Sequence, residues 1–211
     1  MSDSIYLRQI QLKARYSHPL RLWFDALSKF GLRITLYYVV LEGLFGGTIS
    51  AFEKALEDYE LGFLVEEDMP AVAAIPGRRV SLDALHERLK IGQRCFGVKF
   101  QGKPVAFNWF DFEQFRSGQY QFKLKPNEVC LYDAYTDMDF RGRGLAPYIR
   151  YHSYKELEHM GRHRIYSSSD YFNTSSLRFK QKLKAKLIEL HLVVILFKRW
   201  QRRFVLKTFP E

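Results

Sequence analysis

The feature that most narrows the fold is a strand, a helix and a second strand in immediate succession. Residues 128–137, EVCLYDAYTD, form a strand-like apolar run, and a helical pattern follows from about Arg143 to Met160, with Leu145, Ile149 and Leu157 on one face. RHRIYSSS then forms a second short strand. A helical connection of that length returns the chain to the edge it left, so the two strands belong to one sheet, joined by a β-α-β crossover. Earlier segments read differently. ELGFLVE is a strand, EEDMPAVAAI a short helix with acids in its first turn, and Pro76-Gly77 a break. Ser81 caps a second helix, SLDALHERLKIG, which Gly92 stops. Arg94–Phe100 and Pro104–Phe112 are strands joined by a turn at Gln101-Gly102-Lys103, and a polar connection around Ser117-Gly118 leads through QYQFKL to residue 128. Asn173–Lys186 reads as a helix, followed by a strand pair at 187–197 and 200–209. From residue 60 the order is β-α-α-β-β-β-α-β-α-β-β. Hairpins followed by one crossover predict an α/β fold of the α+β kind, a mixed sheet flanked by helices rather than a doubly wound parallel one.

Ahead of this domain, assigned to residues 51–211, residues 1–50 read as an N-terminal extension. It holds an amphipathic helix over 18–30, with Leu20, Trp23, Phe24, Leu27 and Phe30 at helical spacing, then a strand, RITLYYVVL, and the loop-like GLFGGTIS. The acidic segment 51–61 fits a short helix or a connection. Three roles are open to residues 1–50: packing on the domain, pairing two copies as a homodimer, or touching a membrane through residues 18–30. Packing is the expectation.

With 47% apolar residues the chain can bury a core. Cys95 and Cys130 have no metal-ligand spacing, and neither a disulfide framework nor a signal peptide is visible, which points to a cytoplasmic, peripherally membrane-associated at most, protein. No histidine spacing suggests a metal site. The longest apolar run, LIELHLVVILF, is too short for a membrane helix. Charge is uneven. Of the net +10, residues 141–211 carry 16 basic against 5 acidic residues, which fits an anionic partner.

That basic stretch begins at DFRGRGLAPYIRYH, between the strand 128–137 and its helix. A strand-to-helix turn aims unpaired backbone N–H groups at one spot, the helix dipole favours anions there, and glycines let a ligand approach closely. Arg141 and Arg143 add charge, and Pro147 is tolerated in a first helical turn. The segment is suited to a phosphate or pyrophosphate.

Three features go together: R-x-x-G-x-A at Arg141, Gly144 and Ala146; a strand before and a helix after; and Asn173 opening the next helix. In these the chain resembles the GNAT superfamily of coenzyme A-dependent N-acetyltransferases over roughly residues 60–209. The resemblance implies a GNAT-like acyl-CoA N-acyltransferase fold with acetyl-CoA as acetyl donor and no metal. Arg141, Gly142, Arg143, Gly144, Leu145 and Ala146 would hold the coenzyme pyrophosphate. The strand ending near Asp137 would splay from its neighbour at a bulge, and the backbone of Tyr135, Thr136 and Met138 would pair with the pantetheine arm. Asn173 and Ser176 match the N-x-x-S form of the second motif, near the sulfur. The implied activity is direct attack of a primary amine on the thioester. The acceptor is read as a small or carrier-linked amine such as an amino sugar.

Departures from the family pattern fall at the catalytic positions. Seven residues after Asn173, where many members carry a tyrosine acid, stands Lys180, read as a solvated charge; five before it, where protein N-terminal acetyltransferases carry glutamate, stands Ser168. The candidates for acid-base work are therefore Asp133, as base or substrate-orienting group, and Tyr135, as acid. Two other readings stay open: a catalytically silent acyl-CoA-binding protein, and a basic module for membrane or nucleic acid. No recognised nucleic-acid motif is present, so nucleic acid is not the expected partner.

Overall fold

A computed structural model describes residues 19–46, 58–75, 78, 80–118 and 120–210. The expectations for residues 1–18, for 51–57 and for the Pro76-Gly77 break lie outside the described residues. In chain order the elements are α1 (Pro19–Lys29), β1 (Leu32–Glu42), β2 (Tyr59–Leu64), a 3-10 turn at Glu66–Asp68 leading into α2 (Met69–Ala73), α3 (Leu82–Lys90), β3 (Arg94–Phe100) and β4 (Lys103–Asp111). They continue with β5 (Gln114–Ser117), β6 (Tyr120–Lys123), β7 (Glu128–Thr136), α4 (Leu145–His159), β8 (Arg164–Asp170), α5 (Thr174–Lys182), β9 (Lys186–Leu196) and β10 (Trp200–Thr208).

Eight strands form one mixed sheet in the order β10-β9-β1-β8-β7-β4-β3-β2. Among the described strands only β7 and β8 run parallel, as the crossover through α4 requires; the other pairs are antiparallel. Strand β1, from the segment read as an extension, lies inside the sheet between β8 and β9. Its sequence explains this: Val39, Val40 and Leu41 are consecutive and all buried, the pattern of a strand covered on both faces.

One face of the sheet packs against α4, where Leu145, Ile149 and Leu157 meet Val98, Val129 and Leu131, as their helical spacing predicts. Against the other face lie α2 and α3, with Met69, Val72 and Leu85 on Cys95, Phe107 and Trp109. Ser81 caps α3, its Oγ accepting from the Ala84 N–H at 3.2 Å. The stretch read as a polar connection is instead the β5–β6 hairpin. Its Phe115 and Phe122 stack at 4.9 Å against Tyr166, so alternate aromatic residues fasten it over β1, β7 and β8. The N-terminal helix lies against the domain through one edge only. Phe24 contacts Phe172 at 5.8 Å, but α1 buries no residue, and Leu20, Trp23 and Phe30 stay exposed.

Candidate active site

Parallel strands β7 and β8 are paired only from Glu128 to Leu131 and from Arg164 to Ser167. Beyond that they part. The cause is a bulge in β7: Trp109 of β4 pairs with Tyr132 and Phe107 with Tyr135, so three steps on β7 oppose two on β4. Asp133 takes the strain with φ of +45°. Beyond the paired stretch, Ala134 on β7 and Ser168 on β8 are exposed. Successive strand N–H groups point to opposite edges. Because the Asp137 N–H bonds Val105 O at 2.8 Å, the Thr136 backbone faces the opening, and its carbonyl accepts from Arg141 Nε at 3.1 Å.

The opening leads to the N-terminus of α4. Asp137 accepts from the Asp139 N–H at 3.0 Å, a 3-10 turn at Met138–Phe140 follows, and the chain enters the helix through Gly142 and Gly144, with φ of +80° and +79°. Only glycine adopts these angles without strain. No described residue accepts from the backbone N–H of Gly142, Arg143, Gly144, Leu145 or Ala146, and the first helical bond is Tyr148 N–H to Gly144 O at 3.2 Å. These donors at the positive end of a helix dipole suit a pyrophosphate. The arginines turn back on the protein: Arg141 to Thr136, and Arg143 to the Tyr59 hydroxyl at 3.3 Å and Asp139 O at 3.2 Å. The unengaged donors of this turn are backbone groups, while both guanidiniums are held by the protein. Asn173 caps α5, accepting from the Ser176 N–H at 3.1 Å, while Ser176 Oγ lies 3.1 Å from Ser169 Oγ on β8.

Both acid-base candidates lie on β7 at the bulge. Asp133 is gripped by Arg78, at 3.2 and 2.8 Å, and by Arg88, at 2.6 Å. Both carboxylate oxygens are engaged by guanidinium groups. Tyr135 stacks on Phe107 at 5.9 Å, and burial raises its hydroxyl pKa, with Asp137 adding to the effect and Arg141 opposing it. The hydroxyl therefore keeps its proton at neutral pH.

Lys180 overturns the expectation of a solvated charge. It is buried, and its ammonium donates to Ser167 Oγ at 2.6 Å and Ser168 O at 3.3 Å, and pairs with Glu42 at 3.0 Å. Glu42, at the end of β1, also pairs with Arg150 at 3.4 Å and accepts from Tyr154 at 2.5 Å and from Ser167. Burial alone would raise the Glu42 pKa, but Arg150 and Lys180, with the two hydroxyls, hold it down at about 2. For Lys180 burial prevails over the pull of Glu42 and lowers its pKa. The sequence carried one signal for this network: Arg150 is in register with Tyr154 and Leu157 on the apolar stripe of α4, where a charge requires a buried partner. Arg78 and Arg88, on a loop and a helix remote in sequence, gave none. Among the described residues no group of His, Cys, Asp or Glu is arranged to hold a metal ion, and no helix is long and apolar enough to cross a membrane.

No protein-family model and no curated protein sequence matches the chain. Solved structures do match in fold. The glucosamine N-acetyltransferase region of a fungal multi-domain β-N-acetylglucosaminidase superposes with a TM-score of 0.59 at 16% identity, over 84% of this chain and 23% of that one. A Drosophila protein gives 0.57 at 14% identity, over 83% and 56%, and a GNAT-family protein from Novosphingobium aromaticivorans 0.54 at 16%, over 79% and 66%. The chain spans less than two thirds of each of these proteins. At such identities the likeness speaks for architecture, and it agrees with the splayed strands and the glycine turn: the chain has the GNAT acyl-CoA N-acyltransferase fold.

Proposed function

We propose that the protein is an N-acetyltransferase that moves an acetyl group from acetyl-CoA to a primary amine. One observation carries the reading: an open strand edge on β7 leads directly to unpaired N–H groups at the start of α4. Acetyl-CoA supplies an acyl group activated as a thioester. The N–H groups of Gly142 to Ala146 hold its pyrophosphate, and the Thr136 backbone on the open edge of β7 binds the pantetheine amides, with Met138 and the α5 residues Asn173 and Ser176 bordering the arm. A backbone N–H of β7 in the opening polarises the acyl carbonyl. The neutral amine forms the C–N bond as the C–S bond breaks. Tyr135 gives the departing sulfur its proton, and the amine proton leaves to water. Asp133 holds Arg78 and Arg88 along the acceptor wall.

For the acceptor we favour an amino sugar, free or carrier-linked, an assignment supported by the glucosamine N-acetyltransferase region that shares this fold. Acetyl-CoA raises the melting temperature through preferential binding to the folded state, and Gly144→Glu, which brings a side chain and a negative charge into the seat, abolishes the shift. Free-thiol release with glucosamine, nucleotide amino sugars and polyamines identifies the acceptor. Absence of stabilisation by any acyl-CoA overturns the proposal. A second reading, an acyl-CoA-binding protein without transferase activity, is favoured by Lys180, whose ammonium donors are all engaged where a tyrosine acid is usual in the fold. Binding without thiol release across the amine panel would establish it.

A further inference from the structure

One surface plays no part in the cleft. Trp23 on α1 and Phe30 just after it are 69% and 79% exposed, and Phe197 in the turn after β9 and Trp200 at the start of β10 are 65% and 45% exposed. These belong to one patch. The Phe197 N–H bonds Gly31 O at 2.7 Å, and a Cβ on Gly31 would stand 2.5 Å from the Phe197 ring, so the end of α1 and the β9–β10 turn are in contact. Leu20 and Leu22 extend the apolar area along the helix, and Phe204, on the same face of the outermost strand as Trp200, extends it along β10. Exposed rings gathered about one contact differ from the singly scattered apolar residues of an ordinary surface.

Its charge identifies what it meets. Lys29, Arg33, Lys198, Arg199 and Arg202 are exposed within or beside the patch, none in an ion pair among the described residues, and Asp25 is the acid of α1. In a two-fold dimer this surface would face itself, setting uncompensated cations against cations. Nucleic acid would use the cations and the rings, but gains nothing from exposed leucines, which offer no stacking face. An anionic bilayer uses all three: Trp and Phe at the headgroup boundary, aliphatic side chains against the acyl chains, and Lys and Arg on the phosphates. We propose that α1 and the β9–β10 hairpin form a docking surface for an anionic phospholipid membrane. The helix reaches the rim of the cleft, where Arg21 lies 3.7 Å from Asp170 at the end of β8, so docking sets the cleft mouth close to the bilayer.

The test is co-sedimentation of the full chain with vesicles of phosphatidylcholine, alone and mixed with phosphatidylserine, followed by tryptophan emission. Binding to the mixed vesicles, weakened by salt and accompanied by a blue shift from Trp23 and Trp200, is the expected result; Trp109, fully buried, contributes no change. Phe30→Glu and Phe197→Glu, each checked for an unaltered melting temperature, each lower binding at least tenfold, whereas Lys90→Glu on the exposed face of α3 leaves it unchanged. Equal binding to neutral vesicles, or none to either, overturns the proposal. So does a dimer that Phe30→Glu dissolves, or salt-sensitive retention of oligonucleotides without vesicle binding.

Discussion

Among the described residues, two carboxylates each lie between two cations, Glu42 and Asp133, and the two clusters behave in opposite ways. Glu42 lies between Arg150 and Lys180 with side-chain exposures of 0%, 4% and 3%. Asp133 lies between Arg78 and Arg88, but it and Arg88 remain about a quarter exposed. In the first cluster water is excluded, so every charge depends on the others, and the cluster ties β1, α4 and α5 together. In the second, solvent screens the charges, and what the ion pairs fix is position: they hold the strained bulge residue and two guanidiniums beside the opened strands. Burial, rather than charge count, separates a fastening of the fold from a frame for a site.

Removing Glu42 is the severest way to probe that contrast. Glu42→Ala strands Arg150 and Lys180 as buried, uncompensated cations, and a loss of about 3–5 kcal/mol in chemical denaturation is expected. Acid should reach the same cluster. Because the folded pKa of Glu42, about 2, lies below its ordinary 4.5, the cluster's stabilisation is fully present above pH 4.5 and is lost as pH falls towards 2. The Glu42→Ala variant should lack that part of the acid sensitivity. Equal losses of stability in wild type and variant across this window would count against the pairing.

Lys180→Met comes next, at about 2–3 kcal/mol, since Glu42 keeps Arg150, Tyr154 and Ser167. The pair Glu42→Gln and Lys180→Met made together should cost less than the sum of the two, and the shortfall measures their coupling. Additive losses would show that the two groups act separately.

The contrast also explains what could be read from the sequence. The sheet, its crossover and the glycine turn were legible because each depends on local pattern: β-branched runs, the stripe of α4, and glycines at positive φ. The bulge could not be derived from residue pattern, since Asp133 is as unremarkable there as any polar residue near a strand end; only the resemblance pointed to it. Strand β1 was legible as a strand but not as an interior one, because the partner of a strand is chosen by tertiary packing. Lys180 was misread for a related reason. On α5 it lies between other basic residues at positions 178 and 182, and only the distant Glu42 distinguishes it from a solvated neighbour.

Asp133→Asn gives the smallest change in stability, about 1 kcal/mol or less, because the cluster is partly solvated. Its effect should appear in function instead. Arg78 and Arg88 lie 4.8 Å over Phe107 and 5.1 Å over Trp109, and losing the carboxylate that orients them would disturb the proposed acceptor wall without touching the α4 N-terminus. The KM for the amine should then rise several-fold, while the melting shift produced by acetyl-CoA stays unchanged. Tyr135→Phe separates the roles further: with general-acid catalysis at Tyr135, kcat falls about 100-fold and KM for either substrate stays near its wild-type value. If Asp133→Asn instead lowered kcat as far as Tyr135→Phe does, with KM unmoved, the carboxylate would be taking the amine proton despite its two arginines. The frame and the catalytic group would then be the same residue.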